Sequence, residues 1–439
     1  MNAERIATET LTPYVSYSYA YPHKTAYRRL TPAVPLSEAW REEDCSALFL
    51  YLHVPFCEFR CGFCNLFTQA NPAAGLAARY LQQMRVEAEQ LRQALPPATF
   101  ARMAIGGGTP TFLEADQLAE LFEIARIVTK GAALPPSGCE ASPATVTAEK
   151  LAVLRHHGVE RLSLGVQSFD DDEAHRLGRP QRRGDVERAI GLVRDAGFPV
   201  LNLDLIYGGE GQSPGQFAAT VQQAITHRAE EIYLYPLYVR PLTGLGQRDR
   251  AWDDERLAAY EAGREALLEA GYTQVSMRMF CAPHARNMDG PVYCCQSDGM
   301  VGLGCGARSY TRSLHYSREY AVGRQGVAAI LGEYLQQTPA ELAVARHGFW
   351  LTREEQQRRF VILPLLQATG LSRSNYRQRF ASDPLDDLPE LQTLPARGWA
   401  TIDNAQVTLT PLGLAWSDAI GPWLYSPAVQ QLTGEYEAH

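Results

Sequence analysis

Apolar positions along the chain fall into short continuous runs separated by stretches with near-helical spacing. Residues 47–54 (ALFLYLHV) form the first run, rich in residues that favour an extended backbone. Residues 75–95 then place Leu76, Tyr80, Met84, Ala88, Leu91 and Leu95 close to the spacing of one helix face. The alternation repeats. Strand-like runs lie near 101–106, 138–142, 161–166, 200–207, 231–239 and 274–280, with helical stretches at 115–129, 146–157, 184–196, 213–227 and 253–271. Strands that are apolar throughout, alternating with helices, predict a parallel sheet covered by helices on both faces. About six such units predict an α/β fold built as a partial (β/α)6 TIM-like barrel, not a small open sheet.

Beyond about residue 325 the pattern changes. Residues 352–366 and 369–380 read as helices, GWATIDNAQVTLT (398–410) as a hairpin turning at Asp403-Asn404, and 411–424 as another helix. The order is winged-helix-like. The predicted organisation is therefore an N-terminal arm (1–45), the barrel (46–325) and a C-terminal winged-helix-like domain (326–439). A winged helix suggests DNA, but residues 350–439 hold seven Arg, no Lys and ten Asp or Glu. An acidic domain is a poor phosphate binder, so it reads as a lid or docking domain.

Composition narrows the class. A chain of 439 residues is too long for one ordinary core. Its net charge of -8 argues against nucleic acid and anionic membranes as partners. The N-terminus lacks a charged segment followed by an apolar one, and no run reaches the roughly 20 apolar residues of a membrane span. A cytoplasmic location is expected. Nine cysteines are an odd number for a disulfide framework, and in a reducing compartment clustered cysteines read as ligands.

The chemistry concentrates in Tyr51-Leu-His-Val-Pro-Phe-Cys57-Glu-Phe-Arg-Cys61-Gly-Phe-Cys64, directly after the first strand. Three thiolates there can converge on one inorganic centre. Four cysteines hold an ordinary [4Fe–4S] cluster, so three leave one iron open to another ligand. His53 leaves a Cys3His zinc site open as the alternative. The CxxxCxxC spacing with Phe63 before the last cysteine resembles the radical S-adenosylmethionine (SAM) superfamily. YLHVPFC is similar to the start of its HemN-like class, which includes oxygen-independent coproporphyrinogen III oxidase, HemW-type haem-binding proteins and two-SAM methyltransferases. The likeness runs from about Tyr14 to the end. It implies a [4Fe–4S] cluster on Cys57, Cys61 and Cys64, and one or two molecules of SAM. The open iron chelates SAM, and an electron from the cluster splits it to a 5′-deoxyadenosyl radical. It also implies a small-molecule substrate and an electron donor such as flavodoxin or ferredoxin.

Other segments extend the resemblance. Gly106-Gly107-Gly108-Thr109-Pro110-Thr111 is similar to the family's SAM-methionine segment, and its glycines permit close backbone approach; a plain tight loop is the blander reading. Glu140 in the third strand, Gln167 at the end of the fourth, Arg179 in LGRP and Asp204 in NLDLIYGG match family positions that hold SAM, as does Tyr51. Arg179 is the expected bidentate clamp on the SAM carboxylate. Independently of the family, the cysteines, the glycine loop, Gln167 and Asp204 fall at predicted strand C-termini, where barrel enzymes build their sites.

Substrate contacts are expected from His23, Lys24, Arg28 and Arg29 on the tyrosine-rich arm, and from Tyr238 and Arg240 after the sixth strand. A solvated basic arm and core tyrosines are the alternatives. Cys281, Cys294, Cys295 and Cys305 pose the question of a second cluster, with scattered buried thiols as the other reading. The coproporphyrinogen oxidases carry a further cysteine where this chain has Leu66, and their N-terminal segment differs from YPHKTAYRR. Three readings stand: a HemN-like radical oxidoreductase acting on an anionic, tetrapyrrole-like molecule; a two-SAM methylating or alkylating enzyme; and a HemW-like haem carrier.

Overall fold

The computed structural model describes residues 12–246, 255–285 and 299–437. Its centre is a 13-stranded sheet. In chain order the strands are β1 (Arg28–Pro35), β2 (Leu48–Val54), β3 (Phe100–Gly107), β4 (Ser137–Ala141), β5 (Val159–Gln167), β6 (Val200–Tyr207), β7 (Glu231–Pro236), β8 (Thr273–Gln274), β9 (Met279–Cys281), β10 (Met300–Leu303), β11 (Arg308–Tyr310), β12 (Leu314–Ser317) and β13 (Val344–Trp350). Their spatial order is β1-β13-β12-β11-β10-β2-β3-β4-β5-β6-β7-β9-β8. Strands β10 and β2 through β7 run parallel, and the strands flanking them are antiparallel.

The apolar runs explain these strands. In β2 Leu48, Leu50, Leu52 and Val54 alternate onto one fully buried face. Tyr51 and His53 take the other face, because successive strand residues point to opposite sides. The crossovers are the helices Leu76–Ala94, Ala115–Val128, Ala148–His156, Arg183–Asp195 and Pro214–Thr226. Their starts follow local chemistry: Thr147 and Ser213 accept backbone N–H groups at their helix N-termini, and Pro214 occupies a first-turn position whose N–H would be unpaired anyway.

Two segments depart from the expected pattern. The 274–280 run splits into the hairpin β8–β9, which pairs antiparallel with β7. Strand β10 is an additional parallel strand beside β2, in a stretch whose glycines look like loop. The C-terminal residues form helices Arg353–Leu365 and Arg373–Phe380 and a three-stranded sheet of β14 (Leu371–Ser372), β15 (Ala400–Ile402) and β16 (Gln406–Leu409). The helix expected over 411–424 is two short ones, Pro411–Ala415 and Ser417–Trp423, turning about Trp416.

The arm is built into the molecule. Strand β1 pairs with β13, Tyr14 belongs to the main apolar core, and Tyr21 and Ala26 belong to the C-terminal core. The Tyr21 hydroxyl donates to Glu355, and Ser18 Oγ lies 3.0 Å from the Tyr425 hydroxyl. The segments before residue 45 and after 325 thus share strands and core with the barrel.

Candidate functional site

Strand register assembles one end of the parallel sheet. Val54 lies beside Gly107, Ile105 beside Cys139, Glu140 beside Ser163, Gly165 beside Asp204, and Ile206 beside Tyr235. Together with the loops that follow these strands, they enclose a cavity of about 1050 Å3. The arm completes its walls with Ser16 and Tyr17, and the C-terminal segment with Thr433, Tyr436 and Glu437.

Cys57, Cys61 and Cys64 all face this cavity as free thiols. Burial pushes the Cys57 thiol up to about 12 and raises Cys64 as well. The zinc alternative fails on geometry. A zinc ion with bonds of about 2.3 Å would draw its ligands tightly around one point. Among the described residues no three of His, Cys, Asp or Glu converge that way. His53 turns from the cysteines: its Nε2 lies 3.2 Å from the Phe67 carbonyl oxygen, and burial lowers its pKa to about 4. Three free thiols sharing one cavity wall, with His53 bonded elsewhere, are a donor set for a cluster that leaves one iron open.

Glycine makes the wall beside Cys57 possible. Gly107 has φ +115°, and a Cβ there would lie 2.5 Å from the His53 ring; a Cβ on Gly108 would meet the Phe56 carbonyl at 2.6 Å. Gly306, with φ +100°, approaches the other side of the same imidazole. The Gly107 N–H donates to Glu140 Oε2 at 3.0 Å. Glu140 reaches into the cavity with its side chain exposed there, and the surrounding protein, which withdraws it from bulk water against the opposing Gly107 bond, raises its carboxyl to about 7. Asp204 is raised to about 6 by burial, opposed by the Asn202 amide that donates to Oδ1 at 2.8 Å. Gln167 sits at a bulge of β5 with φ +69°, a strained conformation for a residue with a Cβ. Tyr51 and Thr109 also line the cavity.

Arg179 stands differently from the clamp expected. Its Nε donates to Gln181 at 2.6 Å, Nη2 to the Gly165 carbonyl at 2.6 Å and to Ser142 Oγ at 3.2 Å, and Nη1 to Cys61 Sγ at 3.2 Å. Of the five N–H groups a guanidinium offers, one is left, which is too few for a bidentate grip on a carboxylate.

The structure divides the expected substrate residues. His23, Lys24, Tyr238 and Arg240 line the cavity. Arg28 and Arg29 do not. Arg28 is turned to the Thr25, Tyr27 and Leu432 carbonyls and to Glu435, and Arg29, in register with His347 on β13, opens on a separate polar cleft. Alternation along β1 and the pull of backbone acceptors account for their removal. Lys24 Nζ sits over the Tyr320 ring, 3.2 Å from its centroid. Burial, reinforced by Arg308, lowers the Lys24 pKa well below normal, and burial beside Lys24, Arg308 and Arg240 does the same to His23. Among the described residues no carboxylate pairs with His23, Lys24, Arg240 or Arg308. Tyr238 donates to Asp418 Oδ2 at 2.5 Å.

Sequence reasoning missed Arg278, Asp418, Arg308 and Tyr320, while Tyr17 and Tyr19 belong to the tyrosine-rich arm it singled out. Arg278 Nη1 donates to Asp418 Oδ1 at 2.9 Å, both residues are almost wholly buried, and the guanidinium lies 3.7 Å from the Tyr17 ring centroid. No local spacing ties positions 140 residues apart. The second-cluster question closes for the described cysteines. Cys281 pairs with Glu231 at the start of β7, while Cys305 is buried just past β10, at the other flank of the parallel strands. Cys294 and Cys295 lie outside the described residues.

Comparison with known proteins follows the geometry. Residues 51–224 match the family model described as the Radical SAM superfamily. The oxygen-independent coproporphyrinogen III oxidase of Paracoccus denitrificans is 31% identical over 283 residues, 62% of this chain and 60% of that protein. The haem chaperone HemW of Escherichia coli is 30% identical over 267 residues, 59% of this chain and 69% of that protein. The solved structure of coproporphyrinogen III oxidase (HemN) from Escherichia coli superposes with a TM-score of 0.77 at 22% identity, covering 99% of each chain. That likeness extends over the arm and the C-terminal domain as well as the barrel.

Proposed function

The chain belongs to the radical SAM superfamily, among the homologues of HemN-type coproporphyrinogen III oxidase, and from that premise we propose that it is a HemN-like radical oxidoreductase acting on an anionic, tetrapyrrole-like substrate. The superfamily implies a [4Fe–4S] cluster and SAM. Cys57, Cys61 and Cys64 would hold the cluster. Tyr51, Gly107, Gly108, Thr109, Glu140, Gln167, Arg179 and Asp204 would surround SAM. When bound, the pair supplies reductive cleavage of the sulfonium and so a carbon-centred radical. The chain's own residues do the rest. Glu140 and Asp204 offer carboxylates to an ammonium and to ribose hydroxyls, the glycine loop allows close approach, and the arm with Thr433 and Tyr436 of the C-terminal segment excludes water.

The observation that carries the substrate reading is the arm side of the cavity. His23, Lys24, Arg240 and Arg308 gather there among Tyr17, Tyr19, Tyr235 and Tyr320; Glu319 and Glu437 line the same cavity, but no salt bridge joins them to these four among the described residues. The guanidinium groups of Arg240 and Arg308 beside aromatic faces suit a flat molecule with acidic side groups, whose carboxylates would favour protonation of His23 and Lys24. A cavity of about 1050 Å3 lies at the upper end of ordinary small-molecule pockets. That size supports a second reading, in which a second SAM enters and a carbon is alkylated. The relative named as a haem chaperone supports a third, in which the cavity carries haem without turnover.

Anaerobically reconstituted protein should hold about four irons per chain as one cluster. Replacing Cys57, Cys61 and Cys64 together by Ala should abolish the iron and SAM cleavage; retained iron would sink the assignment. Turnover with methyl-labelled SAM separates the readings. Substrate hydrogen recovered in 5′-deoxyadenosine without label in the product supports the oxidoreductase. Label in the product supports alkylation. Stoichiometric haem binding with neither supports the carrier.

A further inference from the structure

Each of the three cysteine sulfurs has its own hydrogen-bond donor, and the donors differ. Arg179 Nη1 lies 3.2 Å from Cys61 Sγ, and Thr109 Oγ1 lies 3.5 Å from Cys57 Sγ. Cys64 Sγ has Thr68 Oγ1 at 3.9 Å and the Leu66 backbone N–H. Arg179 is 7% exposed. Its bonds to Gln181, Ser142 and the Gly165 carbonyl fix the guanidinium without help from the sulfur. Thr109 is equally fixed, because its backbone N–H donates to the Phe56 carbonyl at 2.8 Å. Its approach depends on residue 108 being glycine, since a Cβ there would lie 3.0 Å from Cys57 Sγ.

We propose that Arg179 and Thr109 set the reduction potential of the cluster by donating to the Cys61 and Cys57 sulfurs, so that Arg179 serves the cluster directly and not only SAM. The inference rests on the cluster assignment made above. Reduction adds one negative charge to the cluster and its thiolates. A permanently charged guanidinium and a fixed hydroxyl at the sulfurs stabilise the reduced form more than the oxidised one. Hydrogen bonds to the sulfurs are among the terms that set such potentials. Both donors therefore raise the potential and ease electron entry. Arg179, charged and closer, has the larger effect.

The test is an anaerobic reductive titration with titanium(III) citrate, followed by electron paramagnetic resonance, on reconstituted wild type, Thr109→Val, Thr109→Ser, Arg179→Lys and Arg179→Met. Iron content and the reduced-cluster signal in the wild type report on the cluster assignment; their absence would defeat that assignment and not the tuning. With four irons retained, Thr109→Val should lower the reduction equilibrium constant roughly tenfold, about 59 mV for one electron. Thr109→Ser should restore it. Arg179→Met should lower it by more than Thr109→Val, and Arg179→Lys by less than Arg179→Met. If Arg179→Met loses its iron, Arg179→Lys and the Thr109 pair decide. A wild-type midpoint in iron-replete Thr109→Val and Arg179→Lys would overturn the proposal.

Discussion

At the scale of single residues, the cavity carboxylates make the most direct prediction. Glu140 is raised to about 7 from 4.5 and Asp204 to about 6 from 3.8, in both cases chiefly by withdrawal from bulk water. An acid whose folded value is raised holds its proton more tightly in the folded state. Its stabilising share is complete below the unfolded value and disappears as pH rises through the folded one. The ligand-free protein should therefore lose thermal stability between about pH 4 and pH 7. Glu140→Gln should flatten that decline, and a slope unchanged by the substitution would count against it; scanning calorimetry across the range decides. The arm cations give a second expectation. Lys24→Ala should keep the melting temperature and iron content while weakening substrate binding by roughly the 1.5–3 kcal/mol of a charged contact, measurable by titration calorimetry once a substrate is in hand. At this scale the sequence was readable where residues cluster in chain order, as with the cysteines and the glycine loop. It was silent on Arg308, whose contact with Tyr19 at 2.7 Å joins positions 289 residues apart.

At the scale of elements, the strands and crossover helices were legible because a strand buried on both faces must be apolar throughout, and each helix must show one apolar face to the sheet. Strand β10 was not, because Gly302, Gly304 and Gly306 serve close packing there and erase the apolar run. Gly306 illustrates the constraint. A Cβ would lie 2.6 Å from His53 Nε2 at a φ of +100°. Gly306→Ala should cost about 1–3 kcal/mol from backbone strain alone and weaken SAM binding by displacing His53 against the glycine loop. Adding His53→Ala should relieve the collision but not the strain, so partial recovery in a denaturant titration is the expected result. The short helix Ser417–Trp423 is held by the buried Arg278–Asp418 pair. Removing one partner of such a pair typically costs about 3–5 kcal/mol, while replacing both by apolar residues of similar volume costs much less. Asp418→Leu should thus be more damaging than Arg278→Met with Asp418→Leu, as read by chemical denaturation.

At the scale of the whole molecule, the arm is a built-in part of the structure as well as a cavity wall. Its Tyr21 is fully buried in the C-terminal core, and β1 pairs along β13. Deleting residues 1–30 should therefore lower the melting temperature and impair SAM cleavage along with product formation, whereas the point changes at His23 and Lys24 act on the substrate alone. The sequence suggested an appendage because the segment is polar and tyrosine-rich, and tyrosine buries its ring while keeping a hydroxyl partner. The same pairing has a consequence for synthesis. Ser18 meets Tyr425 across 407 positions, and Tyr21 meets Glu355 across 334. The arm leaves the ribosome hundreds of residues before these partners do. At about 5–20 residues per second, that leaves tens of seconds in which the cysteine strand and its parallel neighbours can assemble while the cavity lacks its arm wall. Whatever the cavity takes up can enter through that opening before the arm closes it.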